Sequence, residues 1–181
     1  MGSMGNVRFN SGLVWNPHDA GIKEMSKFNL SKRSLSRLEG VRPDLVETVK
    51  LAIKLTRVDF GVTCGLRTVE QQRRMVETGR SQTMNSKHIP QGDEYSHAVD
   101  LVAYVDGEVC WELNVYDEIC DAMAAAAKET GTSIKWGAAW SEGDIRAYKS
   151  TAEAAMNAYS KLRLDQGRRP FIDAPHFELM S

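Results

Sequence analysis

Residues 86–100 read SKHIPQGDEYSHAVD, and residues 173–178 near the C-terminus read DAPHFE. Together they supply two imidazoles and a carboxylate from distant parts of the chain: His88, Asp100 and His176. A catalytic zinc site uses three protein ligands of these types and leaves a fourth position for water. Asp173 lies three residues before this second histidine, close enough to accept a proton from that water. We therefore predict one zinc ion per chain, with Asp173 as the general base.

Further motifs occur in a fixed order along the chain. They are SKH at 86–88, AVD at 98–100 followed by LVAY, and DAPHFEL at 173–179, together with GLRT at 65–68, EQQ at 70–72 and WGAAW at 136–140. On these motifs, which run roughly from Phe28 to the C-terminus, the chain resembles the zinc D-Ala-D-Ala metallopeptidases. Within that family it is most similar to phage endolysins of the L-alanyl-D-glutamate peptidase type.

This resemblance implies both a fold and an activity. The expected fold is α+β, with a small antiparallel sheet flanked by helices in a single hedgehog/D,D-peptidase-like domain. The expected activity is hydrolysis of the L-alanyl-D-glutamate bond in the peptide stem of bacterial peptidoglycan. Two rival functions are a D-Ala-D-Ala carboxypeptidase or dipeptidase on the same zinc site, and a non-catalytic, zinc-stabilised cell-wall binding module.

The resemblance also assigns roles to single residues, each of which has a structural alternative. Arg67, between a predicted strand and helix, matches the arginine that stabilises the reacting carbonyl, but it could be a surface residue paired with Glu70. Ser86 matches a substrate-contacting serine, but it could be a simple turn residue. Asp173 matches the catalytic acid of the endolysin branch, but it could cap the turn at Pro175.

The chain departs from the family pattern between the first histidine and the aspartate. Eleven residues separate His88 from Asp100, because residues 90–95 replace a shorter turn, and Ser96 stands where a glycine is usual. His97 is therefore an alternative ligand. On a strand, however, side chains three residues apart point to opposite faces, so His97 and Asp100 would not share one ion. The sequence context of SKH favours His88.

The apolar periodicity predicts the elements that carry these residues. We expect strands at 60–64, 98–105, 108–111, 133–136 and 176–180, and helices beginning at Pro43 and spanning about 68–78, 116–130 and 151–164. Asp100 lies inside an apolar strand, where a carboxylate is costly unless it is paired or bound to a metal. Glu178 shares a strand face with His176 and is a candidate to orient that imidazole.

Length and composition suit a single domain. The chain has 181 residues, 42% of them hydrophobic, and a net charge of -1, which gives no general attraction to nucleic acid. No apolar run approaches the length of a membrane span. No positively charged start leads into an apolar segment, so we expect no secretory signal. We interpret residues 1–4 as an expression scar, 5–26 as an N-terminal extension and 27–181 as the zinc peptidase catalytic domain.

The three cysteines, Cys64, Cys110 and Cys120, form no CxxC pair. Their odd number and apolar neighbours predict reduced, buried thiols, and their spacing disfavours a cysteine zinc site. We expect a monomer that acts on peptidoglycan, without nucleic-acid binding or membrane insertion. As an endolysin it would be made in the host cytoplasm and would reach the cell wall after another protein permeabilises the membrane.

Overall fold

The computed structural model describes residues 25–180, so the predicted scar at 1–4 and residues 5–24 of the predicted extension lie outside the described residues. The strands are β1 Asp59–Cys64, β2 Ala98–Val105, β3 Glu108–Cys110, β4 Ile134–Trp136 and β5 His176–Leu179. The helices are α1 Lys32–Arg37, α2 Pro43–Leu55, α3 Val69–Glu77, α4 Leu113–Thr130 and α5 Ala152–Asp165, with a 3-10 turn at Ile145–Ala147.

The strands form one antiparallel sheet in the order β1-β2-β5-β4, and β3 pairs with the second half of β2. Asp106 and Gly107 both have positive φ, which suits the tight hairpin that joins β2 to β3. The helices and the antiparallel sheet confirm the predicted α+β class. The long central strand β2 therefore contacts three other strands and carries Asp100 into the middle of the sheet.

The two faces of β2 have different surroundings. Val99, Leu101 and Ala103 are fully buried and belong to the hydrophobic core, which also contains the apolar faces of α2 and α4. Because side chains alternate along a strand, Asp100 points to the opposite face. The core therefore holds the strand in place while leaving one face of the sheet for polar side chains.

Helix α4 begins at Leu113, three residues before the predicted start at Tyr116. Its N-cap is Glu112, which makes no side-chain capping bond, so the sequence contains no capping residue that marks this helix start. Helix α3, in contrast, follows the predicted capping box between Thr68 and Gln71. No helix within residues 25–180 is long and apolar enough to cross a membrane.

The three cysteines are free thiols, as predicted. The prediction that all of them are buried is wrong for Cys64 and Cys110, which are only half-buried. Each of these two cysteines is the last residue of its strand, at the edge of the packed region. Cys120, in contrast, lies in the middle of α4 and packs in the hydrophobic core.

Candidate metal centre

A row of three side chains crosses the polar face of the sheet. Asp100 lies directly opposite His176 on β5 and opposite Cys64 on β1. Directly opposed residues of antiparallel strands project from the same face, so these side chains are neighbours. The register of β1 shifts between Val62 and Cys64, and a bulge of this kind re-aims the side chain that follows it. Without the shift, Thr63 would stand opposite Asp100.

His88 completes the cluster from the loop between α3 and β2. Its Nε2 lies 3.1 Å from Asp100 Oδ1 and 3.3 Å from His176 Nδ1, and this Nδ1 lies 3.1 Å from the same Oδ1. Nitrogen and oxygen ligands at zinc distances in a tetrahedron are about 3.3–3.4 Å apart. The three atoms therefore have the mutual spacing that a zinc ion requires.

The opposite nitrogen of each imidazole is held by a hydrogen-bond acceptor. His88 Nδ1 lies 2.8 Å from the carbonyl oxygen of Gly65, and His176 Nε2 lies 3.1 Å from Glu178 Oε2. Both partners accept, so these nitrogens carry the protons and donate. In the neutral imidazoles the lone pairs are therefore on the two nitrogens that face Asp100, as metal-binding histidines require. The contact predicted between Glu178 and His176 is present.

The charges in the cluster are tightly coupled. Burial lowers the pKa values of His88 and His176, but their acidic neighbours together outweigh it and raise these values to about 10 and about 9. The neighbours are Asp100 for both histidines, with Cys64 for His88 and Glu178 for His176. Burial raises the pKa of Asp100, yet the two imidazoles hold it far below its usual range. The half-buried carboxylate of Asp100 thus stabilises positive charge on its two neighbours, and a divalent cation would supply that charge in place of the two protons.

His97 lies outside this cluster. Its Nε2 is 2.9 Å from both carboxylate oxygens of Asp93, within the exposed loop formed by residues 90–95. Ser96, which replaces the usual glycine, is buried and donates its hydroxyl proton to the carbonyl oxygen of Ala98 at 3.0 Å. The fold therefore does not bring His97 and Asp100 together as ligands of one ion.

Arg67 extends over the row from the turn between β1 and α3. Its Nη2 lies 3.6 Å from Asp100 Oδ2 and 3.3 Å from Cys64 Sγ. The alternative pairing of Arg67 with Glu70 is wrong, because Glu70 instead pairs with arginines 73 and 74 on the exposed side of α3. The arginine is thereby directed at the candidate metal centre.

A buried glutamine fixes the position of this arginine. Arg67 Nη1 donates to Gln72 Oε1 at 2.6 Å, and the amide of Gln72 donates to the carbonyl oxygen of Thr83 at 2.6 Å and to Ser81 Oγ at 2.9 Å. The side chain of Gln72 is fully buried. Because both ends of its amide are bonded, Gln72 links Arg67 to the loop that leads to His88.

Asp173 lies half-buried in the turn before β5, and Gly137 holds this turn. Gly137 N donates to the carbonyl oxygen of His176 at 2.8 Å, while Asp173 N donates to the carbonyl oxygen of Gly137 at 3.0 Å. A Cβ on Gly137 would lie 2.4 Å from Asp173 O, so only glycine fits here. Burial raises the pKa of Asp173, with opposing effects from His176 and Asp100. The turn thus fixes Asp173 next to a candidate ligand.

The remaining predicted residue, Ser86, lies two positions before His88 and is half-buried. Its Oγ accepts a hydrogen bond from His88 N at 3.3 Å, which shapes the loop, and within residues 25–180 its hydroxyl donates to no partner. The two tryptophans of the WGAAW motif differ: Trp136 is fully buried, whereas the indole of Trp140 stacks on His176 with ring centroids 5.6 Å apart.

A cleft of about 930 Å³ opens beside Asp100. Its lining includes Cys64 and three arginines, Arg37, Arg67 and Arg74. Arg37 Nη1 donates to the carbonyl oxygen of Val62 at 2.7 Å, which anchors that side chain on the wall of the cleft. The cleft opens from solvent onto Asp100 and Cys64 of the candidate site, and its walls include these arginine side chains.

Residues 25–180 match the family described as phage L-alanyl-D-glutamate peptidase. The chain belongs to this family. The L-alanyl-D-glutamate peptidase of Escherichia phage T5 is 32% identical over 117 residues, which are 62% of this chain and 82% of that protein. The crystal structure of the Serratia marcescens L-Ala D-Glu endopeptidase ChiX is 33% identical, with a TM-score of 0.60, and the alignment covers 89% of this chain and 94% of ChiX.

The sequence did not predict a role in the candidate metal centre for three residues: Cys64, Gln72 and Gly137. Gln72 lies inside the EQQ motif and Gly137 inside the WGAAW motif. The signal for Gln72 is that a glutamine on the inward side of a helix requires a buried hydrogen-bond partner. For Cys64 the sequence pointed the other way, because the spacing of the three cysteines does not match that of a cysteine zinc site. The fold nevertheless brings Cys64 Sγ, His88 and Asp100 together, with their ligand atoms all within 4.8 Å of one another.

Proposed function

We propose that this chain is a zinc-dependent endolysin that hydrolyses the L-alanyl-D-glutamate bond of the peptidoglycan peptide stem. The observation that carries the zinc assignment is the triangle of His88 Nε2, Asp100 Oδ1 and His176 Nδ1, with sides of 3.1, 3.1 and 3.3 Å. The activities for which the phage T5 peptidase and ChiX are named support the choice of bond.

In this proposal the two histidines and Asp100 hold one zinc ion. A bound zinc ion lowers the pKa of a coordinated water to about 7 and polarises a carbonyl group. The hydrogen bonds to Gly65 and Glu178 keep each imidazole in the tautomer and orientation that coordination needs.

Asp173 acts as the proton carrier. Its carboxylate takes a proton from the attacking water and delivers it to the amine that leaves, as general base and then general acid. Burial raises the pKa of this carboxyl group, which makes proton uptake easier near neutral pH. The backbone bonds to Gly137 anchor the turn that carries Asp173 beside His176, which supports this role.

Arg67 stabilises the charge that develops on the scissile carbonyl oxygen. Its guanidinium is pre-positioned by Gln72, so little reorganisation is needed when that charge appears. Ser86 offers its hydroxyl to the peptide backbone of the substrate. The arginine-lined cleft suits a stem peptide, because D-glutamate contributes a carboxylate next to the bond that is cut.

We further propose that residues 27–181 form the catalytic domain, which the family match over residues 25–180 supports. The protein would act as a monomer. It would be made in the host cytoplasm and would meet the wall after another protein has permeabilised the membrane.

The test is digestion of purified peptidoglycan followed by mass analysis of the products. The proposal predicts peptides with a new N-terminal D-glutamate and glycan strands that retain L-alanine, with activity lost on chelation and restored by zinc. Release of terminal D-alanine alone would instead identify a carboxypeptidase. Wall binding without any cleavage would identify a binding module.

A further inference from the structure

Cys64 is the third member of the row that contains Asp100 and His176, and the proposed chemistry does not use it. Its place follows from the bulge in β1, which puts Cys64 rather than Thr63 opposite Asp100. The sulfur, the ligand atom of His88 and the ligand atom of Asp100 all lie within 4.8 Å of one another. The thiol therefore faces the candidate metal centre.

The Cys64 sulfur also lies beside a cation. Arg67 Nη2 approaches Sγ to 3.3 Å, and the same nitrogen is 3.6 Å from Asp100 Oδ2. One guanidinium nitrogen therefore contacts both the thiol and a candidate metal ligand. The surroundings of Cys64 thus combine a nearby cation with two further ligand atoms, unlike those of Cys120, which is fully buried in the core.

We propose that the Cys64 thiolate is a fourth direct ligand of the metal ion held by His88, Asp100 and His176. This inference rests on the proposed function. The thiol releases its proton to solvent as the sulfur–metal bond forms. Sulfur and nitrogen ligands of one tetrahedral zinc ion are about 3.5 Å apart. The cluster within 4.8 Å contains Cys64, His88 and Asp100, so ligation requires Sγ to move closer to His88 and to His176.

Ligation by Cys64 has a consequence for the enzyme. Four protein ligands make a closed zinc site, whereas catalysis requires an open position or a fifth ligand. The cysteine-bound form is therefore a resting state. Entry of water and substrate must displace the sulfur or expand the coordination sphere before the peptide bond is attacked.

The test is substitution of cobalt(II) into the metal-free protein. A thiolate ligand gives cobalt an intense sulfur-to-metal charge-transfer band in the near ultraviolet, whereas imidazole and carboxylate ligands give only the weaker visible bands. We expect the charge-transfer band in the wild-type protein and in Cys110→Ala. We expect its complete loss in Cys64→Ala, with the visible bands of bound cobalt retained.

Each other result has a definite meaning. Visible bands without a charge-transfer band in the wild type would overturn the cysteine ligand while leaving the metal centre intact. A charge-transfer band that persists in Cys64→Ala would also overturn it. No cobalt bands at all would reject the metal centre itself, and with it the proposed function.

X-ray absorption of the zinc-loaded wild-type protein provides a measurement that needs no variant. Ligation by Cys64 predicts a sulfur scatterer at about 2.3 Å from zinc in addition to lighter atoms at about 2.0–2.1 Å. A shell of nitrogen and oxygen atoms alone would contradict the inference. This readout does not depend on turnover, so it separates the role of Cys64 from the question of which bond is cut.

Discussion

Asp100 and His176 face each other directly across β2 and β5, with 3.1 Å between Oδ1 and Nδ1. A slip of one residue in this pairing would turn one of the two side chains to the opposite face of the sheet. The arrangement of the candidate ligands therefore depends on the register of the sheet. The buried neighbours Val99, Leu101 and Phe177 fix this register by packing into the core. The geometry that suits zinc is thus a property of the whole fold.

Replacement of Asp173 tests the proton-transfer role. Asp173→Asn keeps the size of the side chain and the backbone bonds of the turn, so we expect normal zinc content and unfolding temperature. The rate of wall digestion should fall by about 10²–10⁴-fold, the usual contribution of general acid–base catalysis. Asp165→Asn, which removes only an exposed ion pair with Lys161, serves as the matched control and should retain activity. Normal digestion by Asp173→Asn would refute the role.

Replacement of Gln72 tests the positioning of Arg67. Gln72→Ala removes the acceptor that holds Nη1 at 2.6 Å, so the guanidinium loses its fixed place beside Asp100. Because misplacement of a catalytic group by 1 Å costs up to about 100-fold, kcat should fall by that order while zinc content stays unchanged. The exposed Gln166→Ala is the control. A rise in KM with kcat unchanged would mean that Arg67 binds substrate without stabilising the reacting carbonyl.

Replacement of Gly137 tests the support of the catalytic turn. In Gly137→Ala the new methyl group would lie 2.4 Å from the backbone oxygen of Asp173, and backbone atoms cannot move aside cheaply. We expect the free energy of unfolding to fall by about 1–3 kcal/mol, with a further loss of activity as the turn shifts. Gly92→Ala, where an added Cβ meets nothing within 4 Å, should change stability by less than about 1 kcal/mol. Equal stability of the two variants in chemical denaturation would contradict the account.

Asp117 on α4 should make stability depend on pH. It is only 8% exposed, its Oδ1 has no hydrogen-bond partner within the described residues, and burial with Glu153 and Asp121 nearby raises its pKa to about 7. The folded protein therefore binds this proton more tightly than the unfolded chain, whose aspartate pKa is about 3.9. The stabilising contribution of protonated Asp117 is complete at low pH and is lost as the pH rises from about 4 to about 7.

Asp117→Asn should accordingly raise the free energy of unfolding at pH 8 by about 1–3 kcal/mol and have little effect at pH 4. Glu129→Gln changes an exposed acid on the same helix and is the control. Denaturation curves at the two pH values provide the check. A loss of stability in Asp117→Asn at pH 8 would show that the carboxylate has a favourable partner there.

Local patterns predicted most elements because their signals lie within a few residues. The bounds of β2 follow from one apolar run closed by Asp106 and Gly107, and the start of α3 follows from its capping box. His88 could be favoured over His97 because alternation along a strand depends only on short spacing. The elements predicted with shifted ends, such as α4, lack a capping side chain.

The residues that escaped prediction depend on contacts between distant segments. Cys64 faces Asp100 only because of a register shift in β1, which no residue in the sequence marks. Gly137 is needed because another segment, the turn at Asp173, approaches its backbone. Gln72 becomes a support for Arg67 only when the loop at Thr83 folds over it. Tertiary packing decides these roles; the sequence could at most have marked Gln72 as a buried glutamine in need of a partner, without showing what that partner is.

Zinc content of the purified wild-type, His88→Ala and His97→Ala proteins tests the central claim most directly. Both variants remove one imidazole, but His88 Nε2 lies 3.1 Å from Asp100 Oδ1, whereas His97 pairs with Asp93 on the loop. We expect one zinc ion per chain in the wild type and in His97→Ala, and a loss of zinc in His88→Ala. Zinc retained in His88→Ala, or lost in His97→Ala, would contradict it.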